Sequence, residues 1–242
     1  MYNIRYLSTG SKGNCCLVET DDVKFLIDLG LPLSQFKKAI KKFSSITSID
    51  FILITHEHGD HISGAKQVID KYKIPCYLSH GTYENSDLQE VNKYLVNIVE
   101  PSKKYTIEGL GVLPFTVDHD AREPLGFLIK NTVGEKLLFV ADCGNFDFEV
   151  EADIYAVELN YMDSMMEKLL ETEKEFLYKR VKGNYGHIEL EKAISFAKEH
   201  IDKEYIFHHM SRANINHMEM TKRLYEEKIN YKLAKNGESF KF

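Results

Sequence analysis

The chain has 242 residues, of which 43% are hydrophobic and 28% charged, as in an ordinary globular protein. These proportions exclude a disordered tail, a collagen-like fibre and a coiled-coil rod, and no uninterrupted apolar run approaches the ~18–20 residues that span a bilayer. Lys+Arg total 31 against Asp+Glu 37, a formal net charge of −6, which counts against gripping long polyanions by electrostatics alone. A local basic patch or a bound divalent metal still inverts the field at one site.

MYNIRYLSTGSKG has no signal-peptide apolar core, so a cytoplasmic location without a membrane partner is expected. Cys15, Cys16, Cys76 and Cys143 form no CxxC pair. They read as buried free thiols rather than a disulfide framework or a Cys-type zinc site.

In chain order, NIRYLST, CCLVET and KFLIDLG read as strands separated by turn residues. Leu33, Phe36, Ile40 and Phe43 recur at helical spacing, and the lysines between them, Lys37, Lys38, Lys41 and Lys42, read as a solvated face. FILIT is apolar on both faces, as a buried strand is, and runs into THEHGDH. ISGAKQVIDKYK follows as a helix and PCYLSH as a strand, and residues 82–104 give no clear pattern. Three more strand signals run from KYTIEGLGVLPFTVDH through GFLIKN to KLLFVAD, and IYAVELN is another.

The spacing of Met162, Met165, Met166, Leu169, Leu170, Phe176 and Leu177 predicts a long amphipathic helix, its Met stripe packing a core. GHIELEKAISFAKEHI is helical after its Gly, EYIFHHMS is a strand and MTKRLYEEK a helix. Asn236-Gly237 turns the chain into a closing strand, ESFKF. No repeat or linker interrupts residues 1–242, which read as one domain. Strands followed by a helix occur once in each half, which predicts an α/β fold: an αββα sandwich of two mixed sheets flanked by helices.

His56-Glu57-His58-Gly59-Asp60-His61 places three of the ten histidines and a carboxylate where a buried strand ends. Imidazole nitrogen and carboxylate oxygen suit zinc, manganese or iron. Alternate residues at a strand end point the same way, so His56 and His58 can share one metal. Beyond the Gly59 turn, Asp60 and His61 can address a second. His119, Asp142 and His209 each sit at the C-terminal end of a later strand, and a carboxylate such as Asp142 is able to bridge two ions. Ser11, Lys12, Gly13 and Asn14 form a Gly-rich turn whose backbone amides suit a phosphate.

His-x-His-x-Asp-His, followed in order by His, Asp and His, resembles the metallo-β-lactamase fold superfamily along nearly the whole chain. STGSKGN, FLIDLGL, THEHGDH, DHDAREPLGF, YGHIE and HHMSR are similar to its YycJ/WalJ-like branch, related to nucleases of the RNase Z and RNase J type. Two positions depart from that branch: Tyr161 follows Asn160 where the branch tends to show His, and Ala213 precedes Asn214 where it tends to show Asp. The resemblance implies a metal-dependent hydrolase carrying two divalent ions, zinc or manganese. His56, His58 and His119 would hold one ion and Asp60, His61 and His209 the other, with Asp142 bridging. His209 is taken over its neighbour His208 because the branch pattern is His-x-Ser-Arg.

Two ions about 3.5–4 Å apart lower the pKa of a bridging water, and the hydroxide attacks phosphorus in line with the leaving oxygen. Asp60 would orient that nucleophile. His187, at an expected helix start, would protonate the leaving oxygen. Ser11, Asn14 and Arg212 are expected at the substrate. The expected activity is a phosphodiesterase on nucleic acid, foremost a 5′→3′ exonuclease on DNA. The alternatives are hydrolysis of a cyclic or short oligonucleotide messenger, and a non-catalytic metal-binding regulatory module. Oligomer formation is left open.

Overall fold

Short β-branched and aromatic segments, ended by Gly, Asp or Pro, build the strands as the sequence suggests. The computed structural model describes residues 1–146, 148, 150–170 and 175–242. The chain forms two units. The first comprises Met1–Thr116, Ala121–Glu135 and Lys235–Phe242, and the second Val117–Asp120 and Lys136–Ala234.

In the first unit, β1 (Asn3–Ser8), β2 (Cys15–Glu19) and β3 (Lys24–Ile27) run antiparallel. The C-terminal strand Glu238–Lys241 pairs with β1, also antiparallel. From β3 the pairing turns parallel, through β4 (Phe51–Leu53) and β5 (Cys76–Leu78) to β6 (Val96–Ile98), so this sheet is mixed. All three residues of β4 are buried, which explains why FILIT shows no alternation. Strands β7 (Tyr105–Ile107), β8 (Leu110–Thr116) and β9 (Leu125–Lys130) form an antiparallel meander.

The helices of this unit are α1 (Leu33–Ile40), α2 (Gly59–Ile62), α3 (Ala65–Tyr72) and α4 (His80–Glu84). Phe36 and Ile40 of α1 and Val68 and Ile69 of α3 join one core with Leu17, Leu26 and Ile52; each such buried side chain contributes about 1.5–3 kcal/mol. Lys37 and Lys38 stay on the exposed face, as expected, and favour the negative end of the α1 dipole. The unpatterned stretch 82–104 is short-turn structure: the end of α4, two 3-10 turns at Asp87–Glu90 and Lys93–Leu95, and β6.

The expected helix from Ile62 to Lys73 is divided. α2 ends at Ile62 and α3 begins at Ala65. At Gly64 the chain crosses so close to Leu31 that a Cβ would lie 1.8 Å from the Leu31 carbonyl oxygen. The Gly64 amide donates to the Leu29 carbonyl at 2.9 Å instead of continuing the helical ladder.

In the second unit, β10 (Lys136–Phe139), β11 (Ile154–Glu158), β12 (Glu204–His208) and β13 (Tyr231–Leu233) are all parallel. Parallel strands end on the same edge, so Asp142, Glu158 and His209 are delivered to one side of this sheet. Helices α5 (Asp163–Met166), α6 (Glu175–Lys182), α7 (Leu190–Glu199) and α8 (His217–Glu226) complete the unit.

The long helix expected over Met162–Leu177 is instead α5, a 3-10 turn at Glu167–Leu169 and α6; residues 171–174 lie outside the described residues. The Met stripe does pack a core, since Met166 is buried with Tyr161 and Val181. α7 starts at Leu190, with the Glu189 side chain accepting the amides of Glu191 and Lys192, so His187 precedes the helix rather than opening it. A carboxylate cap there satisfies two amides that a helix start leaves unpaired.

Candidate metal centre

Among the expected ligands, His56, His58, Asp60 and His61 belong to the first unit. β4 delivers His56, and α2 carries Asp60 and His61. His56 and His61 are buried; the ring of His56 lies 4.1 Å from that of His61 and 4.7 Å from that of His58, centroid to centroid. Asp28, one residue past β3, organises this group. Its Oδ2 lies 2.7 Å from Nδ1 of His61. Its carboxylate also accepts the Thr55 hydroxyl, at 2.9 and 3.0 Å, and the Thr55 amide, at 2.8 Å.

Because that hydroxyl proton goes to Asp28, Thr55 Oγ1 accepts from His56 Nδ1, 2.9 Å away. Both imidazoles therefore carry their proton on Nδ1 and present Nε2 as the donor atom. Asn14 is buried, and its amide nitrogen lies 3.2 Å from Asp60 Oδ2 and 3.0 Å from His61 Nε2. Its Oδ1 accepts the Gly10 amide, closing the Gly-rich turn.

His119, Asp142 and His209 belong to the second unit. His119 Nε2 lies 3.8 Å from Asp142 Oδ2, and its Nδ1 faces the Gly186 carbonyl at 3.2 Å. His209 Nδ1 lies 2.7 Å from Glu158 Oε1 and 3.0 Å from Asp142 Oδ1. His187 Nδ1 meets the same Glu158 oxygen at 2.7 Å. Asp142, Glu158, His187 and His209 each offer one ligand atom within 4.8 Å of the others.

The local chain path is built for this. Glu158 has zero side-chain exposure, yet its Oε2 accepts the backbone amides of Cys143 and Ile188, and its Oε1 accepts from the Asn160 side-chain Nδ2. The His187 amide donates to Val181 at 2.9 Å. Gly186 leaves no room for a side chain, since a Cβ would lie 2.2 Å from the Val181 carbonyl oxygen. His209 is left-handed, with φ +54, as is Asp28, with φ +59. Such backbone costs a non-glycine residue about 1–3 kcal/mol and clusters where side-chain placement matters.

Electrostatics divide the histidines. Burial pushes the His119 imidazole below its ordinary pKa, with Asp142 opposing. Burial also opposes charge on His187, but Glu158 outweighs it by charge and hydrogen bond and holds that pKa up. Glu158 correspondingly stays below the usual carboxylate range, because His187 overcomes the cost of burial. His208 is different: burial, helped by the neighbouring His209, lowers it to about 4, and its ring stacks on Phe139 at 5.0 Å. It is a neutral core residue.

The donor set fits a divalent ion of the zinc or manganese type. His56, His61, His119 and His209 each engage Nδ1 with a hydroxyl, carboxylate or carbonyl, the outer arrangement that fixes Nε2 as the ligand atom. Ser11 and Arg212, expected at the substrate, are exposed and make no side-chain hydrogen bond or ion pair among the described residues. Sequence reasoning missed Asp28 and Glu158 as the residues that orient the histidines. The signal for both was a carboxylate at the end of an apolar strand, in FLIDLG and IYAVELN.

Two mixed β-sheets flanked by helices, with His and Asp clusters at strand ends, define the class of metal-dependent hydrolases of the metallo-β-lactamase fold. The chain belongs to the beta-lactamase superfamily, whose domain model matches residues 24–210. It is 31% identical over 147 residues to the exodeoxyribonuclease YycJ of Bacillus anthracis, covering 57% of this chain and 53% of the relative. It is 30% identical over 165 residues to the exodeoxyribonuclease WalJ of Streptococcus pneumoniae, covering 64% and 61%. The matched stretches thus span between half and two thirds of these relatives.

Among solved structures, the metallo-β-lactamase fold protein YhfI from Bacillus subtilis is similar with a TM-score of 0.77 at 16% identity, over 99% of this chain and 98% of that one. Human tRNase Z, short form, is similar with a TM-score of 0.66 at 19% identity, over 99% and 98%. These likenesses bear out the expected sandwich. No described helix is long and apolar enough to cross a membrane.

Proposed function

We propose that this chain is a metal-dependent phosphodiesterase acting on nucleic acid, and foremost a 5′→3′ exonuclease on DNA. Residues 1–242 are read as one catalytic domain. The observation that carries the reading is the pair His187–Glu158. An imidazole bonded to a buried carboxylate at 2.7 Å, with its pKa held up and 18% of its side chain exposed, is what a proton donor to a leaving oxygen requires. The relatives named as exodeoxyribonucleases support nucleic acid as the substrate.

By the family motif, His56, His58, Asp60, His61, His119, Asp142 and His209 would hold the metal. Zinc or manganese, when bound, supplies a water of lowered pKa and neutralises charge on a phosphoryl oxygen. The chain's own residues do the rest. Asp28 and Thr55 hold His56 and His61 in the ligating tautomer. Glu158 holds His209 and His187. Asp60, partly buried and steadied by Asn14, would orient the attacking water. His187 delivers its proton to the departing oxygen.

The test uses purified chain with Mn²⁺ and linear duplex DNA labelled separately at its 5′ and 3′ ends, with Asp142→Ala as control. Early release of mononucleotide from the 5′ label, absent in the control, is the expected result. Intact DNA from protein that demonstrably binds metal would overturn the DNA reading and direct the search to cyclic and short nucleotides.

A further inference from the structure

Arg180 lies in the last turn of α6, inside the second unit. Its Nε is 3.0 Å from Asp120 Oδ2, and Asp120 Oδ1 is in turn 3.2 Å from Nε2 of His119. The guanidinium is thus one carboxylate removed from an expected ligand. Its position is fixed through the backbone as well. The Arg180 and Val181 carbonyls pack on Gly186 at distances that only glycine tolerates. Val181 then accepts the His187 amide, and Gly186 faces His119. Any shift of α6 would move His187 and His119 with it.

The pair is a poor candidate for mere stabilisation. Arg180 is 59% exposed and Asp120 36%, and ion pairs so exposed contribute little to folding. Only Nε is engaged; Nη1 and Nη2 make no hydrogen bond among the described residues. Asp120 therefore holds the guanidinium through Nε on a side chain that is still exposed, and a guanidinium with Nη1 and Nη2 to spare can make a two-point bond to phosphate. The other two cations of α6 differ. Lys182 is tied to Asp163 at 2.9 Å and is 27% exposed. Lys179 is tied to Glu175 of its own helix at 2.7 Å.

We propose that Arg180 is a substrate-contact residue that binds a backbone phosphate of the DNA strand next to the scissile one, oriented by Asp120. This deepens the phosphodiesterase reading and rests on it. The consequence is a preference for strands that carry a flanking phosphate over small diesters that lack one.

The experiment compares the whole metal-loaded protein with Arg180→Ala, Arg180→Lys and Lys179→Ala. The substrates are single-stranded DNA at several salt concentrations and bis(p-nitrophenyl) phosphate, which has no flanking phosphate. For Arg180→Ala, kcat/KM on DNA should fall about tenfold or more, chiefly through KM. That loss should far exceed the loss on the small diester. The slope of log kcat/KM against log salt should flatten by about 0.7, the value of one single-strand phosphate contact. Arg180→Lys should recover part of the loss and most of the salt slope. Lys179→Ala should leave the DNA slope as it is.

An unchanged KM and slope in Arg180→Ala would overturn the assignment, as would an equal change in Lys179→Ala, which would mark a diffuse charge effect. Equal losses on both substrates together with lost metal would also overturn it, marking a structural role. A wild-type protein that cleaves the small diester but no DNA would remove the phosphodiesterase-on-DNA reading and this contact together. Normal DNA cleavage by an unaffected Arg180→Ala removes the contact alone.

Discussion

Oδ2 of Asp28 lies 2.7 Å from Nδ1 of His61, and through the Thr55 hydroxyl the same carboxylate sets the proton on His56. One acidic side chain, itself in a left-handed backbone conformation, thus fixes two expected ligands at once. A charged acceptor also raises the basicity of the imidazole it holds.

Asp28→Asn keeps the shape and removes the charge. It is expected to lower metal affinity by roughly 10–100-fold, the usual effect of losing an outer-shell carboxylate, while the fold persists. Competition with a chelator of known affinity measures this. Wild-type affinity in the variant would show that Asp28 serves only the turn after β3.

Glu158 and His187 are expected to act as a unit. His187→Ala should reduce turnover by roughly 10²–10⁴-fold with metal retained, and Glu158→Gln should approach the same loss. Their effects should fall well short of adding in the double variant, because residues in one hydrogen-bonded pair are coupled. Steady-state kinetics with metal analysis of each variant decides it. Lost metal or unchanged turnover in His187→Ala would refute the proton-donor role.

The two adjacent histidines should separate cleanly. His209→Ala should lose bound metal, whereas His208→Asn should retain it and suffer only in stability, since His208 packs on Phe139. Metal content and thermal unfolding of the two variants check this. Metal loss confined to the His208 variant would reverse the assignment.

All four cysteines are buried and free, and burial raises every one, Cys76 to about 12. An unfolded thiol ionises near pH ~8.5. The stabilisation from keeping these thiols protonated is therefore complete below that value and is lost as pH rises toward the folded value. A disulfide reagent should not label the folded protein between about pH 7 and 9 yet should label the denatured one. The denaturant midpoint should fall as pH climbs past about 9. Rapid labelling of the folded protein would contradict the burial.

Much of this was legible locally. His56, His58, Asp60 and His61 fall within six residues of one another at the end of an apolar strand, so their convergence needs no long-range knowledge. The strands β1 to β4 follow from short β-branched and aromatic runs bounded by turn residues, and the packed face of α1 follows from apolar residues recurring about every 3.6 positions. The sequence by itself thus determined the strand-end histidines, the apolar faces and the family pattern.

Other features were decided only by contacts distant in sequence. The helix is interrupted at Gly64, whose amide goes to the Leu29 carbonyl and whose place against Leu31 admits only glycine. His187 leaves the helix because Glu189 caps α7 and Val181 takes its amide. Asp28 reaches His61 across 33 residues and Glu158 reaches His209 across 51. A carboxylate at a strand end looks the same in sequence whether it faces water or an imidazole. Only the parallel pairing of β11 with β12 brings Glu158 to the residue it orients, because parallel neighbours end on the same edge while their connection runs far through the chain.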